Sequence, residues 1–206
     1  MKKIFALAIP LFLLFACSKP QEEQKINNDT QDMANSNKKV LVVFFSKTGE
    51  NYGVGNIKIG NTHKVATEIA KQTNGTLFEI KTVVEYPIGY KDCVDVAKKE
   101  KASKARPAIK GGVEDITSYD IVYLGYPNWG NDAPMPVYTF LESHNLDGKQ
   151  IFPFVTHEGS GIGNSVNALK EVFPNLVFNE GLAIYGHIAQ NDASFVEKAV
   201  RNWLNK

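Results

Sequence analysis

Apolar and polar residues fall into blocks along this chain, and the blocks follow two different periods. Residues 40–45 read Val-Leu-Val-Val-Phe-Phe, and residues 121–125 read Ile-Val-Tyr-Leu-Gly. Short continuous runs of β-branched and aromatic side chains predict strands buried on both faces. Residues 150–156 repeat the signal, and residues 76–83 carry it in alternation through Leu77, Phe78, Ile80 and Val83. Residues 176–185 predict a fifth strand, interrupted at 179–181. Between these runs the period lengthens. Asn61-Thr62 opens a helix with Val65, Ala66, Ile69 and Ala70 on one face, and Asn74-Gly75 closes it. Residues 90–104, 137–143, 165–173 and 195–204 predict further helices. The last turns Phe195, Ala199, Val200, Trp203 and Leu204 inward.

Strands alternating with helices predict an α/β domain, a doubly wound five-stranded parallel sheet with helices on both faces. The strand order 2-1-3-4-5 fits, as do neighbouring orders. In such sheets a ligand binds beyond the carboxyl ends of the strands, at the switch point between the first and third.

The front of the chain follows another pattern. Lys2 and Lys3 precede an apolar stretch, residues 4–15, broken only by Pro10. That is too short to span a bilayer and suits a secretory segment. It ends in Leu14-Phe15-Ala16-Cys17, which resembles the lipobox of bacterial lipoproteins and implies a lipid on Cys17. An ordinary cleaved signal peptide with a chance cysteine is the alternative. Residues 18–37 are polar and read as a flexible tether. The expected organisation is a signal peptide over 1–16, a tether over 17–37 and a folded domain over 38–206, held outside the cytoplasm at a bacterial membrane.

Composition supports a true core, with 43% hydrophobic and 22% charged residues. A net charge of +1 offers nucleic acid no electrostatic footprint. With Cys17 committed to lipid, Cys93 stands alone. No disulfide is expected, and the residue reads as a small buried hydrophobe ahead of a redox role. No metal site is expected.

Candidate chemistry gathers after three of the predicted strands. The first strand runs into Ser46-Lys47-Thr48-Gly49-Glu50-Asn51. The hydroxyls of Ser46 and Thr48, amides near Gly49 and the next helix N-terminus can cradle a phosphate. No GxxxxGK[ST] pattern is present, which argues against a P-loop nucleotidase. The third strand ends in Gly125-Tyr126-Pro127-Asn128-Trp129-Gly130. Trp129 either stacks on a flat heteroaromatic ring or packs beneath its own loop. The fourth ends in Thr156-His157-Glu158-Gly159-Ser160-Gly161, where glycines admit a planar ligand close to the backbone. His157 and Glu158 either face the ligand's polar edge or are solvent-facing rim residues.

These three stretches, in this order, resemble the FMN loops of flavodoxins over residues 39–205. Ser46-x-Thr48-Gly49 is similar to the family's phosphate loop, lengthened here by residues 52–60, with Thr62 as the loop's last threonine. Tyr126-Pro127-x-Trp129 is similar to the segment that covers the isoalloxazine. The near-neutral charge departs from the acidity usual in that family. The resemblance implies FMN as cofactor, bound by Ser46, Thr48, Gly49, Glu50, Asn51 and Thr62, by Tyr126 to Gly130, and by Thr156 to Gly161. It implies one-electron transfer between protein partners the sequence does not identify, with a stacked Trp129 disfavouring charge on the reduced ring. An FMN-dependent NAD(P)H oxidoreductase acting on quinones or similar acceptors is the alternative, and a flavin-free binding lipoprotein is a third.

Overall fold

The structure, a computed structural model, describes residues 38–206. The proposed signal peptide, Cys17 and the tether lie outside the described residues. The domain opens with β1 (Val40–Phe44), a hairpin of β2 (Gly49–Asn51) and β3 (Gly55–Ile57), α1 (Asn61–Thr73) and β4 (Thr76–Glu79). Next come α2 (Tyr90–Ser103), β5 (Ile121–Pro127), α3 (Met135–Ser143), β6 (Gln150–His157) and α4 (Ser165–Val172). It closes with β7 (Val177–Phe178), β8 (Leu182–Tyr185), α5 (Gly186–Asn191) and α6 (Ala193–Leu204).

The main sheet is parallel, in the order β4-β1-β5-β6-β7, with β8 also beside β6. Taken together, β7 and β8 are one interrupted fifth strand, and the order is the expected 2-1-3-4-5. The interruption has a local cause. Pro153 of β6 has no N–H to give to a neighbouring strand, and it stands between the residues paired to β7 and those paired to β8. Asn179 bends out there and donates its amide to the Ile151 carbonyl at 2.8 Å.

Both faces of β1 are covered, which explains its unbroken apolar run. Leu41, Val43 and Phe45 join one core cluster with α3 and Leu169 of α4. Val40, Val42 and Phe44 join the other, with α1 and α6. Each fully buried side chain of this size contributes roughly 1.5–3 kcal/mol to folding. In α6 the inward stripe is Val196, Val200 and Trp203. Phe195, expected inside, is 47% exposed. Asp192 caps the helix by accepting the Phe195 amide, and that start sets the helical phase one residue later.

The hairpin of β2 and β3 was not expected as structure. It leaves the sheet after β1 and returns at Gly60, opposite Lys47. A side chain at Gly60 would collide with the Lys47 carbonyl and the Ser46 hydroxyl, so the two ends of the insertion close against each other.

Candidate functional site

A cavity of about 480 Å³ opens at the carboxyl edge of the sheet. Lys47, Asn51 and Asn61 line it from the β1 side, and Pro127, Asn128, Trp129 and Gly130 from the end of β5. Thr156, His157, Glu158 and Ser160 line it from β6. One stripe of α2 forms the remaining wall, through Tyr90, Cys93, Val94, Ala97, Lys98 and Lys101, while Tyr52 reaches it from the hairpin tip. The second and third predicted loops therefore meet on one concavity.

The first loop divides. Ser46 and Thr48 line a neighbouring cavity of about 400 Å³ on the β4 side instead. The Ser46 hydroxyl accepts the His63 amide at 3.1 Å, so it serves the start of α1. Gly49 and Glu50 lie outside the lining of both cavities. Gly49 has φ +80 and no room for a side chain against Ile88, and the Glu50 carboxylate accepts the Tyr90 amide at the start of α2. The Thr62 and Thr156 hydroxyls share a buried bond of 2.8 Å. Tyr126 is fully buried in the core with its hydroxyl 3.2 Å from that of Ser165. Alternation along β5 points its side chain into the sheet's packed face and away from the cavity lining, where the sequence had set it.

Lys47 holds the turn. Its ammonium donates to the carbonyls of Thr48, Glu50 and Ile88 at 2.9, 2.9 and 3.1 Å. Burial lowers its pKa, against the raising influence of Cys93 and Glu50. Cys93 is buried too, and its thiol is pushed up to about 11, chiefly by burial.

The two remaining loops are fastened to each other. Asn128 donates through Nδ2 to the Gly161 carbonyl at 2.9 Å, and Asn131 accepts the Asn164 amide at 2.9 Å. Asn128 Oδ1 is buried and has no partner. Trp129 packs edge-on against Phe45 and Tyr86, with centroids 5.4 and 5.2 Å away. It thus rests on the core while lining the cavity.

His157 and Glu158 have separate partners. His157 Nδ1 accepts the Gly159 amide at 2.9 Å, which confines a neutral ring's proton to Nε2. Burial lowers its pKa, Glu158 opposes that shift and His187 adds to it. Glu158 accepts the backbone amide of His187 at 2.7 Å and its ring Nδ1 at 2.6 Å. Gly53, at the hairpin tip, lies against the same carboxylate. His187, Tyr52 and the α2 wall carried no sequence signal that placed them here.

The family model for flavodoxin matches residues 39–206. A candidate flavoprotein from Bacteroides eggerthii is 35% identical with a TM-score of 0.67, over 82% of this chain and 97% of that one. One from Bacteroides uniformis is 29% identical with a TM-score of 0.67, over 82% and 99%. A Lactobacillus acidophilus flavoprotein in complex with FMN shares the fold at 21% identity and a TM-score of 0.60, over 71% of this chain and 93% of that one. No curated protein matches the chain.

Proposed function

The chain belongs to the flavodoxin family, and from that premise we propose that it is an FMN-binding electron carrier tethered to a membrane. One observation carries the reading: loops from β1, β5 and β6 converge on a single cavity, at the switch point of the sheet, with Trp129 in its wall. A cavity of about 480 Å³ lies in the range that holds cofactors of this size. The residues present fit the group. Asn128 Oδ1 is a buried acceptor without a partner, and the flavin ring carries an imide N–H that could meet it. Trp129 offers a flat apolar face, and Asn51, Asn61 and Lys47 stand at the end where the phosphate would lie. Ser46 and Thr48 line the neighbouring cavity, which shares Lys47 with this one.

FMN supplies the electron chemistry when bound. The protein's part is to fix the ring and its surroundings. The bonds from Asn128 to Gly161 and from Asn131 to Asn164 hold the two ring-side loops at a set separation. The lipobox-like Leu14-Phe15-Ala16-Cys17 supports attachment of this carrier to a membrane through lipid.

Visible absorption during stepwise anaerobic reduction tests the reading. A carrier shows bound-flavin bands and a one-electron stage, with no steady consumption of NADPH. Sustained NADPH oxidation with a quinone as acceptor would replace the carrier with an oxidoreductase. A colourless protein that FMN fails to reconstitute would remove both.

A further inference from the structure

Trp129 stands in the cavity wall, and a second contact continues behind it. Its ring centroid lies 5.2 Å from that of Tyr86, with the planes at 78°. The Tyr86 hydroxyl donates to the Glu100 carboxylate, Oη to Oε2, at 2.5 Å. Indole, phenol and carboxylate thus connect the cavity to α2. Glu100 has no ion-pair partner among the described residues, so the phenol is the side chain this carboxylate serves. Burial raises the hold of Glu100 on a proton, and the Tyr86 bond acts against that. Burial, and after it Glu100, also raise the pKa of Tyr86, so its hydroxyl does not ionise alone near neutral pH.

Two other tyrosines have half of this arrangement each. Tyr123 sits against Trp203 at the same 5.2 Å, but among the described residues no carboxylate accepts its hydroxyl, which burial alone perturbs. Tyr138 donates to Asp132 at 2.7 Å, but its ring meets Phe173 and the Arg106 guanidinium, and Asp132 is already matched by Lys101. Among the described residues Tyr86 alone joins a tryptophan to a free proton acceptor. That pairing has a chemical meaning. A phenol that loses an electron becomes a strong acid, so it gives the electron up readily only where a base stands ready for its proton.

We propose that Tyr86 and Glu100 form a proton-coupled redox pair that restores Trp129 after a radical oxidant in the cavity takes one electron from that ring. The oxidised indole, a radical cation, accepts one electron from Tyr86 and is neutral tryptophan again. Tyr86 loses that electron and its hydroxyl proton, and the proton crosses the existing bond to the Glu100 carboxylate. One cation and one anion enter the step and three neutral groups leave it, so partly buried surroundings favour the products. The oxidising equivalent then rests on a phenoxyl radical behind the wall, and the indole that lines the cavity is preserved. The inference goes beyond FMN binding and stands whether or not the cavity holds FMN.

Pulse radiolysis of the full chain, freed of flavin, tests this with azide radicals, which attack tryptophan first. In the wild type the tryptophan radical's absorption should decay as the tyrosyl radical's grows, at a rate independent of protein concentration. Heavy water should slow that growth. Tyr86→Phe keeps the ring and removes the hydroxyl, so growth should fall to whatever Trp203 supplies through Tyr123. Tyr123→Phe marks that share and should leave the Tyr86 phase unchanged. Glu100→Gln can still accept the hydroxyl but is no base, and it should slow the Tyr86 phase by ~100-fold or more, the usual worth of a positioned proton acceptor. Near-ultraviolet circular dichroism checks that each variant is folded. Absence of tyrosyl growth in the wild type overturns the proposal. So does unchanged growth in folded Tyr86→Phe, or growth at the wild-type rate in folded Glu100→Gln.

Discussion

His157 illustrates how one backbone bond decides the state of a side chain. Its Nδ1 accepts the Gly159 amide, so a proton cannot sit there without breaking that bond. Burial already holds its pKa below the ordinary value of 6.5. As pH falls through that value the unfolded chain takes up a proton that the native ring resists, so the native state loses stability on the acid side. The thermal midpoint of the wild type should therefore fall more steeply between pH 7 and pH 5 than that of His157→Asn, whose Oδ1 can accept the same amide without titrating. Parallel curves for the two proteins would remove the argument. Trp129 belongs to the same scale. Its edge contacts with Phe45 and Tyr86 keep it in place without a ligand. Trp129→Ala should weaken FMN binding by ~1–3 kcal/mol through lost aromatic burial. Unchanged affinity in a fluorescence titration would exclude stacking. Trp129 was legible in the sequence because a large aromatic in a Gly- and Pro-rich loop at a strand end has few places to go. Ser46 and Thr48 have the spacing of a phosphate loop, and the structure sets them on the neighbouring cavity while Lys47 and Asn61 line the larger one.

That hairpin is the element the sequence concealed. Its strands are three residues each, Gly-Glu-Asn and Gly-Asn-Ile, too short and too polar for any period to register. The helices and the main strands were legible for the opposite reason, since burial on both faces of β1 and one face of α1 writes itself as apolar runs and stripes. The hairpin's seat depends on Lys47, whose three bonds to carbonyls join the turn to Ile88. Lys47→Met keeps the chain length and removes every one of those donors. It should cost about 1–3 kcal/mol for carbonyls left without partners, read as a lower urea midpoint with unchanged slope. Hydrogen exchange should also quicken at the Glu50 amide, which bonds to the Ile88 carbonyl. Wild-type exchange there, in a folded Lys47→Met protein, would mean that the hairpin is seated by other contacts. Glu158 shows the same coupling from the far rim: it accepts from His187 while Gly53 rests on it, a contact between residues more than a hundred positions apart in sequence that no local pattern announces.

At the scale of the molecule, both apolar clusters and the cavity lining draw on elements spread along the described residues. Cavity walls come from β1, the hairpin, α2, β5 and β6, elements that span most of the sheet. A ligand gripped by all of them binds the folded state and has no equivalent site in the unfolded chain. Its binding energy therefore adds to global stability and not to one loop. A fragment of residues 38–206 should unfold cooperatively and bind FMN with the affinity of the full chain. At FMN concentrations about 100 times Kd the gain is ~2.7 kcal/mol, which for a domain of this size raises the thermal midpoint by roughly 5–11 °C. The Trp129→Ala protein should need more FMN to reach the same shift, whereas Lys99→Glu, an exposed change outside the cavity lining, should follow the wild-type curve. A fragment that binds FMN without any rise in midpoint would show that the loops can hold the cofactor while the sheet is already open. The three-loop site would then be no part of what keeps this fold together.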